Sequence, residues 1–206
     1  MPLEQEAKFI LTDINRYRTR IIEMGGHSQG RVFETNVCYE NEENSLGKNK
    51  SILRLRQDRR VRLTFKFPSD QPASDPLAQQ VKTMNELEVS LNDFDTMHQL
   101  LSAIGFHPWQ TYEKWRETFI LDDAELCLDE MPFGTFLEIE GTPDQVQHLS
   151  AGLGLPWKKR VLANYLAIFT LIKKTEKLPF NDITFDNFKP HPINLEQYAA
   201  LIEAGT

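Results

Sequence analysis

Seven segments of this chain alternate charged with large apolar side chains, and nothing else in the sequence constrains the fold as strongly. A strand turns successive side chains to opposite faces, so residues of one parity share a face. Glu4, Glu6 and Lys8 stand opposite Leu3, Ala7 and Phe9, with Gln5 interrupting the apolar side. Arg54 and Arg56 alternate with Leu53 and Leu55, and Lys66 sits between Phe65 and Phe67 with Thr64 on its own side. Glu86 and Glu88 alternate with Leu87 and Val89, and Lys114 and Arg116 stand opposite Trp115. Glu125, Cys127 and Asp129 alternate with Leu126 and Leu128, and Phe136, Glu138 and Glu140 with Leu137 and Ile139. One such strand alone reads as amphipathic, with its charges in water. Seven together, dense in Arg, Lys and Glu, admit two arrangements. The first is one sheet with helices on its apolar side. The second is a barrel, apolar outward beneath the helices and charged inward around a lumen. About eight strands is the size at which a closed barrel holds side chains or one small ligand.

Three helices punctuate these strands. The first is expected from Thr12 as N-cap through Ile14, Tyr17, Ile21 and Ile22 to Gly25-Gly26. The second opens at Asn92 and carries Phe94, Met97, Leu100, Leu101 and Ile104 before Gly105. The third opens at Thr142, with Pro143 at the first helical position and Gln145 in the capping-box place. A fourth helical pattern runs from Val161 and Leu162 through Tyr165, Leu166 and Phe169 to Ile172. Each of the first three follows an acidic pair: Glu4 and Glu6, Glu86 and Glu88, Glu138 and Glu140. The Ser69–Gln80 stretch, with Pro72 and Pro76, reads as a surface loop. The core domain is expected over residues 1–178, with residues 179–206 as an extension wrapping the same domain.

At 206 residues, 40% apolar and 26% charged, the chain has ordinary globular composition. Its net charge of −7 argues against duplex nucleic acid as a partner, because such binding needs a basic face. No run approaches the roughly 18 apolar residues of a membrane span, and the N-terminus lacks a secretory pattern. Cys38 and Cys127 are too few for a disulfide framework. A soluble, reduced, cytoplasmic protein is expected.

The lumen arrangement makes chemical sense. Its acids would be Glu4, Glu6, Glu86, Glu88, Asp129, Glu138 and Glu140, and its bases Lys8, Arg54, Arg56, Lys66, Lys114 and Arg116. Carboxylates without His or Cys suit hard Mg²⁺ or Mn²⁺. Arginine forks hold phosphate bidentately and lysine adds point charge. Both sets together are what a metal–polyphosphate complex needs.

The sequence resembles the CYTH superfamily, the triphosphate tunnel metalloenzymes, which include class IV adenylyl cyclases, thiamine triphosphatases and inorganic triphosphatases. The residues that carry the likeness are Glu4-X-Glu6-X-Lys8, ETNVCYE around Asn36, SILRLRQ, RLTFKFP, NELEV, YEKWRETF, LCLDEMPFGTFLEIEG and Tyr165 in a late helix. The likeness spans roughly residues 1–175. It implies an α+β fold, an eight-stranded antiparallel β-barrel with helices packed on its outside. It implies metal ligation by Glu4, Glu6, Asp129, Glu138 and Glu140, with Glu86 completing the acidic side. It implies a triphosphate cradle of Lys8, Arg54, Arg56, Lys66, Lys114 and Arg116, joined by Lys158 and Tyr165. Lys8, Arg56, Lys66 and Glu88 are the catalytic residues expected, and no general base stands out. Asn36 departs from the family pattern, which often has Asp there. The implied partner is a small triphosphate, hydrolysed with Mg²⁺ or Mn²⁺ by a monomer or homodimer. Cyclisation of ATP to cyclic AMP and pyrophosphate is the alternative, and a polyphosphate-binding domain the non-enzymatic one.

Overall fold

The strands close on themselves. In a computed structural model describing residues 3–69 and 76–204, eight strands form one barrel: β1 (Leu3–Leu11), β2 (His27–Asn41), β3 (Ile52–Gln57), β4 (Val61–Pro68), β5 (Lys82–Leu91), β6 (Phe106–Leu121), β7 (Ala124–Met131) and β8 (Gly134–Glu140). Their order around the barrel is β1-β5-β4-β3-β2-β6-β7-β8, every pair antiparallel, with β1 hydrogen-bonded to both β5 and β8. The barrel arrangement therefore holds and the open sheet does not. Glu6 stands beside Glu140 and Lys8 beside Glu138, so the parity of each strand carries through to its neighbour.

Helices cover the apolar exterior. Helix α1 (Ile14–Glu23) and, further on, α4 (Pro143–Gly152) lie over Ala7, Phe9, Leu11, Leu126, Leu128, Leu137 and Ile139, all buried. Removing each larger side chain of this kind from water contributes roughly 1.5–3 kcal/mol. A single turn, α2 (Ser45–Lys48), follows β2, and α3 (Phe94–Ala103) covers Tyr39, Leu55 and their neighbours. The N-caps of α1 and α3 sit one residue later than the sequence suggests. Asp13 accepts from the Arg16 N–H at 3.1 Å and Asp93 from the Thr96 N–H at 2.6 Å, because a carboxylate at that position reaches the free amides that Thr12 and Asn92 do not. The capping box of α4 forms as read, Thr142 with Gln145.

Helix α5 (Tyr165–Glu176) starts later than its apolar periodicity implies. Asn164 caps it, and Val161 is instead extended, exchanging backbone hydrogen bonds with Lys8 of β1 at 3.2 and 2.7 Å. Pairing with Lys8 satisfies backbone groups of β1 that β5 leaves free, and this outweighs helical propensity. The inner-face residues Ile10 and Phe136 join an apolar cluster with Tyr165, Ile168 and Phe169, so α5 fills one end of the lumen.

The chain beyond Leu178 adds α6 (Phe185–Phe188) and α7 (Ala199–Ile202). Ile183, Phe188, Leu195 and Tyr198 are buried in the same cluster as α5. Ile183 accepts from the Glu113 N–H and donates to the Thr111 carbonyl, extending the free edge of β6. Pro72 lies outside the described residues, as does the tail beyond residue 204, while Pro76 and Leu77 form a turn.

Candidate functional site: a charged lumen with two walls

The topology sorts the lumen by charge. The three strands carrying acidic pairs, β8, β1 and β5, are neighbours, although they lie far apart in sequence. The strands carrying most of the bases, β4, β3 and β6, lie opposite, with β2 between β3 and β6. The cavity has a volume of about 480 Å³ and is lined from both walls.

Most of these charges are paired. Lys66 Nζ donates to both oxygens of Glu4 at 2.5 and 2.6 Å and lies 2.9 Å from Glu86. Lys8 Nζ is 2.5 Å from Glu138, and its ammonium sits over the Tyr165 ring, 4.5 Å from the centroid. Lys82 Nζ donates to Glu6 at 2.5 Å. Burial pushes the Glu6 carboxyl up, but Lys82 and Lys8 outweigh it and hold it at about 2. Glu138 is likewise held well below the usual range, burial being outweighed by Lys8 and Arg116.

Asp129 is fully buried and its carboxylate is spent. It accepts from Lys114 Nζ at 2.8 Å, from Arg116 Nε and Nη2 at 2.7 and 2.6 Å, and from the Tyr165 hydroxyl at 2.8 Å. On the other side of Lys114, Glu34 lies 3.6 Å from the ammonium and 3.3 Å from Arg56 Nη1. Arg56 Nε donates to Asn36 Oδ1 at 2.8 Å.

Three lining groups have no partner of opposite charge among the described residues. Glu125 and Glu140 face each other across β7 and β8, and neither makes an ion pair. Burial, reinforced by Glu4 and Glu125, pushes the Glu140 carboxyl up to about 8. Arg54 donates to the Tyr112 hydroxyl at 2.9 Å and to Thr64 at 3.3 Å, makes no ion pair, and leaves a buried Nε–H unsatisfied. Like charges set directly opposite are destabilising, and so is an unpaired buried donor, unless a ligand completes them. One wall therefore carries a carboxylate pair outside any ion pair, and the other a guanidinium outside any ion pair, among the described residues.

A closed barrel lined this way has known counterparts. The sequence model of the CYTH domain matches residues 2–154. The chain belongs to the CYTH domain family. A Methanocaldococcus jannaschii protein provisionally named an adenylate cyclase is 26% identical over 140 residues, covering 67% of this chain and 76% of the relative. The crystal structure of a Vibrio parahaemolyticus protein, also provisionally named an adenylate cyclase, superposes with TM-score 0.71 and 16% identity, covering 82% of this chain and 98% of that one. A Hippeastrum protein provisionally named an adenylyl cyclase, whose structure is described as revealing a dominant triphosphatase activity, gives TM-score 0.56 and 16% identity over 83% of this chain and 96% of that one.

Within this CYTH barrel the residues read from sequence mostly converge. Glu4, Glu6, Lys8, Arg54, Arg56, Lys66, Glu86, Glu88, Lys114, Arg116, Glu138, Glu140 and Tyr165 all line the cavity. Two do not. Lys158 is exposed in a short 3-10 turn, Trp157–Lys159, away from the lumen, because the chain must run extended from there to pair with Lys8. Asp129 has the right parity but lies behind Lys114 and Arg116, which it binds. Six residues that sequence reading passed over complete the site. Arg62, Lys82, Tyr112 and Glu125 line the cavity and share parity with residues already chosen on their strands. Glu34 lies behind it, on a strand whose inner face otherwise holds little charge. Asn164 lines it too, but carries no periodic signal and lies beyond the matched family region. Among the described residues no three carboxylates, as placed, form a ready metal cluster. Glu140 and Glu125 are the lining carboxylates outside any ion pair among the described residues, while Glu4, Glu6 and Glu138 are held by lysines and Arg116.

Proposed function

We propose that this CYTH protein is a metal-dependent triphosphatase that hydrolyses a phosphoanhydride bond of an inorganic, nucleoside or thiamine triphosphate. One observation carries the reading. A single cavity holds an unpaired guanidinium, Arg54, and an unpaired carboxylate pair, Glu125 and Glu140. A lone anion would satisfy only the first and a lone cation only the second.

The donor set of carboxylates without nitrogen or sulfur fits Mg²⁺ or Mn²⁺, held by Glu140 with Glu4, Glu6 and Glu138. When bound, such an ion neutralises phosphate oxygens and lowers the pKa of bound water. The chain's own residues do the rest. Arg54, Arg56, Lys8, Lys66, Lys114 and Arg116 present a fixed array of donors to the phosphates and stabilise charge on the leaving group. Glu88 accepts from Thr64 at 2.8 Å and steadies that side of Arg54. Tyr165 supports Lys8 and Lys114 from below and fixes Asp129. With α5 filling one end of the lumen, a triphosphate enters from the other and leaves any organic group towards the opening.

A second reading, cyclisation of ATP, is favoured by the name of the archaeal relative. Incubation with tripolyphosphate, ATP and thiamine triphosphate, each with Mg²⁺ and with Mn²⁺, followed by mass spectrometry of products, separates the two. Orthophosphate with a diphosphate product is expected. Cyclic AMP with pyrophosphate would replace the hydrolase reading, and absence of turnover with every substrate would leave a binding domain.

A further inference from the structure

The basic wall contains a buried carboxylate, Glu34, that does not line the cavity. Glu34 sits mid-way along β2, between β3 and β6, and is 1% exposed. Its register neighbours are Lys114 on β6 and, two residues on through Asn36, Arg56 on β3. Its carboxylate lies 3.3 Å from Arg56 and 3.6 Å from Lys114, both of which line the cavity. Oε2 receives no hydrogen bond, so the group is held by charge rather than by a saturated hydrogen-bond network. Burying a carboxylate this deeply costs several kcal/mol before any compensation. Lys114 already has Asp129, and Arg56 already has the Asn36 carbonyl. Lys114 thus has two carboxylates beside it, while Glu34 is the ion-pair partner of Arg56.

Resting on the triphosphate reading of the cavity, we infer that Glu34 is a positioning residue that fixes Arg56 and Lys114 and, as a buried counter-anion, weakens their hold on phosphate so that product is released. Asn36 extends the inference. It shares the inner face of β2, accepts from Arg56, and leaves its buried Nδ2 without a partner. A carboxylate there would add a second counter-charge to the same guanidinium. Glu34 is therefore the counter-charge on Arg56, and the two positions should push its balance in opposite directions.

The test is calorimetric titration of tripolyphosphate into the full-length chain with divalent metal chelated, so that no turnover intervenes. Removing one charge at this distance in a partly screened interior changes anion affinity by about tenfold. Glu34→Gln is expected to bind about tenfold more tightly than wild type and Asn36→Asp about tenfold more weakly, each with a native circular dichroism spectrum. With Mg²⁺ and steady-state kinetics, Glu34→Gln should lower kcat and KM together. A purely structural role predicts weaker binding in both variants, and that outcome, or unchanged affinity in both, overturns the inference. If Glu34→Gln does not fold, Asn36→Asp decides alone: tighter or equal binding rejects it. Failure of the wild-type chain to bind tripolyphosphate would sink the triphosphate reading itself, which is a separate result.

Discussion

The two walls of the lumen are built from the same kinds of side chain yet are left in opposite electrostatic states. On the wall of β3, β2 and β6, buried carboxylates sit behind the bases: Glu34 of β2 and Asp129 of the adjoining β7 pair with Arg56, Lys114 and Arg116. Where β7, β8 and β1 meet, Glu125, Glu140 and Glu6 crowd together, and Glu140 is driven towards its neutral form. Buried ion pairs rarely add net stability, since desolvation offsets their attraction. A barrel stabilised for its own sake would fill this space with aliphatic side chains, as it does around Ile10 and Phe136. The difference teaches that the bases are held rigid and partly neutralised by buried carboxylates, whereas some acids are crowded together without bases to neutralise them.

The largest effect should come from breaking the acidic wall. Glu140→Gln or Glu138→Gln should reduce metal-dependent phosphate release to background while the protein keeps its native circular dichroism spectrum. Wild-type rates in both would remove these residues from metal binding. Next comes the basic wall at its one uncompensated group. Arg54→Ala should lower kcat/KM by about a hundredfold, the usual cost of losing one preorganised donor to a charged transition state. An unchanged value would show that Arg54 does not touch substrate.

Removing the strut between the walls should matter less. Tyr165→Phe loses a hydroxyl bond to a charged group and should cost about 2 kcal/mol in denaturant unfolding, with ring contacts to Lys8 and Lys114 retained. A loss below the error of the measurement would mean Asp129 is held without it. The smallest effect is in pH. The carboxyl of Glu140 is raised to about 8 when folded, so the folded state binds a proton that the unfolded chain has released. That stabilisation is complete below the unfolded value and is lost as pH rises through about 8. With metal chelated, the wild-type melting temperature should fall more steeply between about pH 5 and 8 than that of Glu140→Gln. Parallel curves would show that Glu140 is not crowded by its neighbours.

Much of this was legible one strand at a time. Parity placed twelve lining residues on the inner face because strand geometry alternates whatever the topology, while Tyr165 came from the family likeness. It could equally have found Lys82, two residues before Met84 and four before Glu86, or Arg62 before Thr64. It could not rank Asp129 against Glu140, since both have inward parity. Only the bases around a carboxylate decide whether its oxygens remain available. Residues 161–204 were harder, because their apolar residues follow no single period. Their positions are set by free edges of β1 and β6 that exist only in the closed barrel.

Local chemistry, then, was determined by sequence alone: which face each side chain takes, where a capping box starts α4, and that one face of each strand would be charged. These follow from backbone geometry and hydrogen bonding over a few residues. The tertiary structure decided which strands became neighbours. By pairing β1 with both β5 and β8, it drew the three acidic pairs onto one wall, set Glu34 among the bases opposite, and left Arg54 and Glu140 without ion-pair partners among the described residues. Charge acts through space, so the balance that makes the lumen a site depends on separations that no stretch of sequence contains.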